Sequence, residues 1–217
     1  MREEKTYRTR RADGGFSLIE VLTVVTIMLI IGGFALPQLA SSRRLLRSSA
    51  VPRELMSQLR LARQSAMSQR EAITFQYDDV SKQITLYDHG AGSAGTAILT
   101  ASNYPATTGS KVMGTFPLTS VGVPASEISY GRPTVTGFPT GALPDNANLV
   151  SLTSNKLNIT FQPDGRVLNS AGVPTDFALF FYNPLMQKET AVAISVLGSA
   201  GRIKTWRYSG YANAFKE

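Results

Sequence analysis

Gly14-Gly15-Phe16-Ser17-Leu18-Ile19-Glu20 opens an almost uninterrupted apolar run that closes at Leu36-Pro37. A helix rises about 1.5 Å per residue, so residues 16–36 match the roughly 20 that a helix needs to cross a bilayer's hydrocarbon. The stretch therefore predicts a membrane-spanning helix. Glu20 stands out in it, because a lone carboxylate near the end of such a helix costs on the order of 3 kcal/mol to insert and is kept where something partners it. A cleaved secretory peptide fits poorly: its apolar core is about 7 to 15 residues long and precedes its cut site, whereas here the glycine pair comes first. An ordinary signal anchor is the bland alternative.

These residues resemble the N-terminus of type IV pilins and pseudopilins. The resemblance implies a short basic leader, residues 1–15, removed by a prepilin peptidase between Gly15 and Phe16, with N-methylation of Phe16. It also implies a single-pass inner-membrane protein whose head faces the periplasm, later passed by an assembly ATPase and a membrane platform into a helical filament of other pilins. In such a bundle the Glu20 carboxylate of one subunit can meet the new terminal amine of a neighbour, so two charges that are each costly in apolar surroundings neutralise one another. Pro37 falls where many members carry a helix-bending proline, a residue that removes a backbone donor and kinks a helix.

Charge is unevenly spread. The formal net charge is +7, yet seven arginines against Glu54 and Glu71 fall in residues 43–71, while residues 72–217 are nearly balanced. A basic bulk charge thus argues little for nucleic acid binding by the head, and any such site must be local. The positive-inside rule does not orient the span, because the leader's basic residues compete with Arg43, Arg44, Arg47 and Arg53 beyond it. The chain has no cysteine, which excludes disulfides and thiolate metal sites.

After Pro37 an amphipathic helix is expected over 38–70. Leu55, Leu59, Ala62 and Ala66 recur at helical spacing, and Arg53, Arg60, Arg63 and Arg70 populate other faces. Pro52 suits the first turn of a restarted helix, which predicts a break near 48–51. The arginines read either as a solvated face or as contacts to neighbouring subunits or anionic lipid head groups.

From Ala72 the apolar period changes to two. Ile73, Phe75 and Tyr77, a turn at Asp78-Asp79, then Ile84 and Leu86 predict a β-hairpin. Such a helix end running into a hairpin is similar to the GspH/FimT group of minor pilin-like proteins, over residues 54–87 and again from Leu157 onward. Residues 89–148 are rich in Gly, Pro, Ser and Thr and read as a loop-rich, variable insertion with short strands at 96–100, 112–116 and 127–130. Leu157, Ile159 and Phe161 then mark a strand, and Asp164-Gly165 supplies the positive φ of a tight turn. The Phe161-Gln162-Pro163-Asp164-Gly165 arrangement is also what the family shows there. Further strands are expected at 177–182, 192–196 and 201–208.

On the last of these, alternation puts Arg202, Lys204, Trp206 and Tyr208 on one face. Cations interleaved with rings form a candidate DNA-contacting strip, with Arg207 beside it. Some family members implicated in DNA uptake carry Gly-Arg-x-Arg near the C-terminus, and Gly201-Arg202-Ile203-Lys204 resembles it with Lys in the last place. The competing reading is that Gly201-Arg202 simply starts the fold's last strand. Residues 90–95 formally match a dinucleotide fingerprint but lack the following helix and acidic residue. His89, the one histidine, reads as an exposed polar residue at a strand end, and nothing assembles a triad, a metal site or a cofactor site.

The expected architecture is α+β: a long kinked N-terminal helix, membrane-embedded in its first half (16–37), packed in its second half (38–70) on an antiparallel β domain of two small sheets (71–217). The expected function is a minor pilin or pseudopilin of a type IV pilus or type II secretion pseudopilus, not an enzyme. A pilus-associated DNA receptor is the alternative.

Overall fold

The computed structural model describes residues 15–90, 110–169 and 171–217. Residues 1–14 of the leader, residues 96–100 and all but the first glycine of the 90–95 run lie outside that set. The chain divides into two compact units, Met1–Ser42 and Arg43–Glu217.

The first unit holds most of helix α1, Leu18–Ser48. Its window Leu18–Ala35 is long and apolar enough to cross a membrane, and none of that window is buried among the described residues. The helix is unbroken through position 37, and the interruption falls at Ser49, within the expected 48–51, before helix α2, Ala50–Gln69, begins. Pro52 indeed occupies the first turn of the restarted helix, where a missing N–H is harmless.

In the second unit α2 buries Leu55, Leu59, Ala62 and Ala66 completely, the stripe expected from their spacing. The hairpin follows as β1, Ile73–Asp78, and β2, Gln83–Asp88. Asp78 closes its turn by accepting the backbone N–H groups of Val80 and Ser81 at 2.9 and 3.2 Å. Strand β3, Lys111–Pro117, pairs with β2, and after the short β4, Ser129–Tyr130, strand β5, Lys156–Phe161, pairs with β1. This gives an antiparallel sheet of order β3-β2-β1-β5. A second antiparallel sheet contains β4, β6 (Phe177–Tyr182), β7 (Val192–Leu197), β8 (Arg202–Ser209) and β9 (Ala214–Lys216), in that order, with the short helix α3, Gln187–Thr190, between β6 and β7. The α+β class with two small sheets is as expected.

Both sheets turn an apolar face to α2. Phe75 and Tyr77 of β1, Ile159 and Phe161 of β5, Leu179 of β6 and Ile194 of β7 close one core around the helix stripe. The sheets meet through rings: Tyr77 lies 5.1 Å from Phe181 and 5.7 Å from Tyr130, distances at which edge and tilted contacts are favourable. Strand β6 reads Phe-Ala-Leu-Phe-Phe-Tyr because it is covered on both faces. Its even positions Ala178 and Phe180 join Ala193, Trp206 and Phe215 in a second cluster, roofed by Phe138, Leu143 and Ala147. Residues 131–147 are, as expected, an irregular segment at the surface, but Phe138, Leu143 and Ala147 turn inward from it and cover the second cluster.

The two glycine motifs meet. Gly165 and Gly201 both have positive φ, +79° and +59°, and a side chain at Gly201 would run into the carbonyl of Gly165. Arg63 of α2 ties the pair, its Nη2 donating to the Ala200 carbonyl at 3.0 Å and its Nε to the Gly165 carbonyl at 3.4 Å. Gly201-Arg202 is thus how β8 gets past the 162–165 turn. Gly201→Ala is expected to destabilise the head by roughly 2 to 4 kcal/mol through its strained φ and the clash. Gly210→Ala, which meets open space, should shift stability by under about 1 kcal/mol. Urea unfolding of the detergent-solubilised chain followed by circular dichroism measures both.

Candidate functional site

Gly15, Phe16 and Ser17 precede α1 without regular secondary structure and are exposed, Phe16 to 82%, so the Gly15–Phe16 peptide bond is accessible. The helix begins by folding onto Ser17, whose carbonyl accepts the N–H groups of Glu20 and Val21 at 3.0 and 3.1 Å. Ser17-Leu18-Ile19-Glu20 has the Ser-x-x-Glu spacing of a helix start, a signal in the sequence that its apolar run overshadows. Glu20 consequently sits in the first turn of α1. Among the described residues no cation pairs with its exposed carboxylate. Further along, Thr23 and Thr26 donate their hydroxyls to the carbonyls of Glu20 and Leu22, both at 2.8 Å. These groups are thereby satisfied within the helix, as an apolar medium demands.

The C-terminal strand is arranged otherwise than expected. Trp206 is only 6% exposed; it lies in the outer cluster and donates its indole N–H to Ser195 Oγ at 2.9 Å, while Ser195 is held by Asp145. Tyr208 packs on Phe138 at 4.6 Å between ring centroids. Lys204 bonds Glu217 at 2.8 Å and lies over the Trp206 ring. The two rings of that face instead pack in a cluster with Phe138, because alternation tells which residues share a face but not which part of it is covered. Arg202 and Arg207 remain exposed, on opposite faces of β8.

His89 also departs from expectation. It is fully buried, its Nε2 2.6 Å from Thr74 Oγ1 and its Nδ1 2.8 Å from Ser110 Oγ, and Thr74 continues the chain to Thr160 Oγ1 at 2.7 Å. The alternate polar residues of β1 and β5 thus form a largely buried ladder, which also includes Gln76 donating to Asn158 at 2.9 Å. Among the described residues no three His, Asp or Glu side chains converge as metal ligands would.

Residues 10–36 match the family model described as the prokaryotic N-terminal methylation motif. The chain carries that motif. The resemblance to prepilin-type N-termini read from residues 14–37 is borne out by it. No curated protein matches the sequence. Among solved structures the chain is similar to the type IV minor pilin FimU of Pseudomonas aeruginosa in two crystal forms. Identity is 19% over 72% of this chain and 84% of that one in the first, and 18% over 72% and 90% in the second, with a TM-score of 0.41 in each.

Two groups near the start of the head make its stability pH-dependent, with opposite signs. Burial holds His89 below its ordinary value of 6.5, against the opposing charge of Asp88. The unfolded chain therefore takes up that proton first, so the contribution is complete above 6.5 and withdrawn as pH falls through the lower folded value. Glu71, hydrogen-bonded to the Asp88 carboxyl, is raised above 4.5; its contribution is complete below 4.5 and lost as pH rises through the raised value. The urea midpoint should accordingly fall between pH 7.5 and 5.5 in the native chain. In His89→Gln that slope should flatten, while stability at pH 7.5 drops by about 1 to 3 kcal/mol as the buried hydroxyls lose their partner.

Proposed function

We propose that this chain is a minor pilin or pseudopilin, a structural subunit of a type IV pilus or type II secretion pseudopilus. A prepilin peptidase cuts it between Gly15 and Phe16, and Phe16 is then N-methylated. The mature protein waits in the inner membrane as a single-pass anchor, its head on the periplasmic side, until the assembly platform draws it into a filament of other pilins. The observation that carries this reading is a helix whose apolar window, Leu18–Ala35, is exposed among the described residues, in a segment that matches the N-terminal methylation motif.

Exposed apolar surface on that scale is stable only under lipid or under other helices, at roughly 25 cal/mol per Å² covered. A filament offers the second kind of cover. Glu20 then selects the register: buried among apolar neighbours, it is tolerated where it meets the terminal amine of an adjacent subunit and is costly one turn away. Pro37 would let the helix bend as subunits pack. Of the residues read as DNA contacts on β8, Trp206 is a core residue, which favours the filament subunit over the DNA receptor.

Mass spectrometry of the native protein should find a mature N-terminus at Phe16 carrying a methyl group. Glu20→Ala should be cleaved normally yet reduce incorporation into sheared filaments by about tenfold or more, the effect of losing a charge contact of roughly 1.5 to 3 kcal/mol. Retention of residues 1–15 in the assembled protein would refute the reading.

A further inference from the structure

Between the last turn of α1, the first turns of α2 and strand β8 lies a hollow of about 430 Å³. Arg53 of α2 and Arg207 of β8 both line it, and among the described residues neither forms an ion pair. Glu189, on the rim, is the one acid there. Two guanidiniums brought from different elements to one concavity fit an anion with several oxygens, such as a phosphate. Beside them Leu45 and Leu46, 44% and 72% exposed, also line the hollow.

Those leucines decide the source of the phosphate. A nucleic acid or a free phosphate ion would leave them wet, whereas a phospholipid offers an anionic headgroup and acyl carbons together, the combination that interfacial segments use. The neighbouring sequence repeats the pairing: Arg43, Arg44 and Arg47 flank the two leucines and are exposed, with Arg44 also 3.7 Å from Glu127. A tether favours the same partner, because Arg43 follows Ala35, the last residue of the apolar window, by eight residues. Even at full extension that keeps it within about 30 Å of the hydrocarbon.

We propose that this hollow seats the headgroup of an anionic phospholipid, with Arg53 and Arg207 on the phosphate and Leu45 and Leu46 against the acyl boundary. The inference rests on the reading of residues 18–35 as a membrane span. It adds a second hold on the bilayer, one that subunit extraction must release.

The chain has no cysteine, so Leu46→Cys labelled with an environment-sensitive fluorophore reports on this hollow alone. Full-length protein is reconstituted into nanodiscs of phosphatidylcholine, with phosphatidylglycerol added in increasing proportion. The expected result is a blue shift at residue 46 that grows with phosphatidylglycerol, reverses in high salt, and is absent from a label at Tyr211→Cys. In Arg53→Gln/Arg207→Gln the apparent affinity for phosphatidylglycerol should weaken roughly fivefold for each arginine removed, with an unchanged circular dichroism melt. A blue shift that ignores phosphatidylglycerol, or that survives in the double variant, overturns the proposal. So does reversal by dissolved inorganic phosphate, which would mark a free-ion site, or by a single-stranded oligonucleotide, which would mark a nucleic-acid site. Failure of the chain to enter nanodiscs at all would instead overturn the membrane-span reading.

Discussion

The constraint on which the head depends is the small, fully buried stripe of α2. Leu55, Leu59, Ala62 and Ala66 have no exposed surface, and the two alanines let the strands come close enough for one helix to serve both sheets. Close packing of this kind is intolerant of volume changes, since a buried methylene added or removed is felt by every neighbour. It explains why both turn glycines sit where they do. Arg63 emerges from the same helix and fastens the 162–165 turn and the approach to β8, so one element sets the position of both sheets' ends.

The first unit obeys a different rule. Among the described residues nothing covers the apolar side chains of Leu18–Ala35, a surface that suits lipid or other helices. The same surface is compatible with lipid and with packed helices, and a subunit that moves between the two exchanges one apolar setting for another at little net change in burial. A carboxylate is not so indifferent: in either setting Glu20 is stabilised chiefly by what it meets.

Much of this was legible in the residues. The glycine pair, Glu20 and the apolar run announce the N-terminal segment, and strict alternation in Ile73-Thr74-Phe75-Gln76-Tyr77 announces the hairpin. The failures share one physical cause. Alternation divides a strand into two faces without saying which is covered, so Trp206 looked displayed, and a strand end does not tell whether the strands beside it will cover His89. The roof over Trp206 comes from residues 131–147, where Arg132 stacks 4.3 Å over Phe180 and donates to the carbonyls of Pro139 and Gly141. Those contacts are scattered through a segment with no period, and composition alone reads it as loop. The hollow beside Arg53 and Arg207 was hidden for a related reason: its two arginines are 154 positions apart in the chain.

The burial of Trp206 has a practical side. The chain has one tryptophan, and its indole is bonded to Ser195, which Asp145 in turn holds. Its fluorescence therefore reports on the outer layer and not on the α2 core. Lifting residues 131–147 would wet the indole and redden its emission while the helix stripe stayed packed, so the protein contains its own optical gauge for whether its two layers come apart together or in sequence.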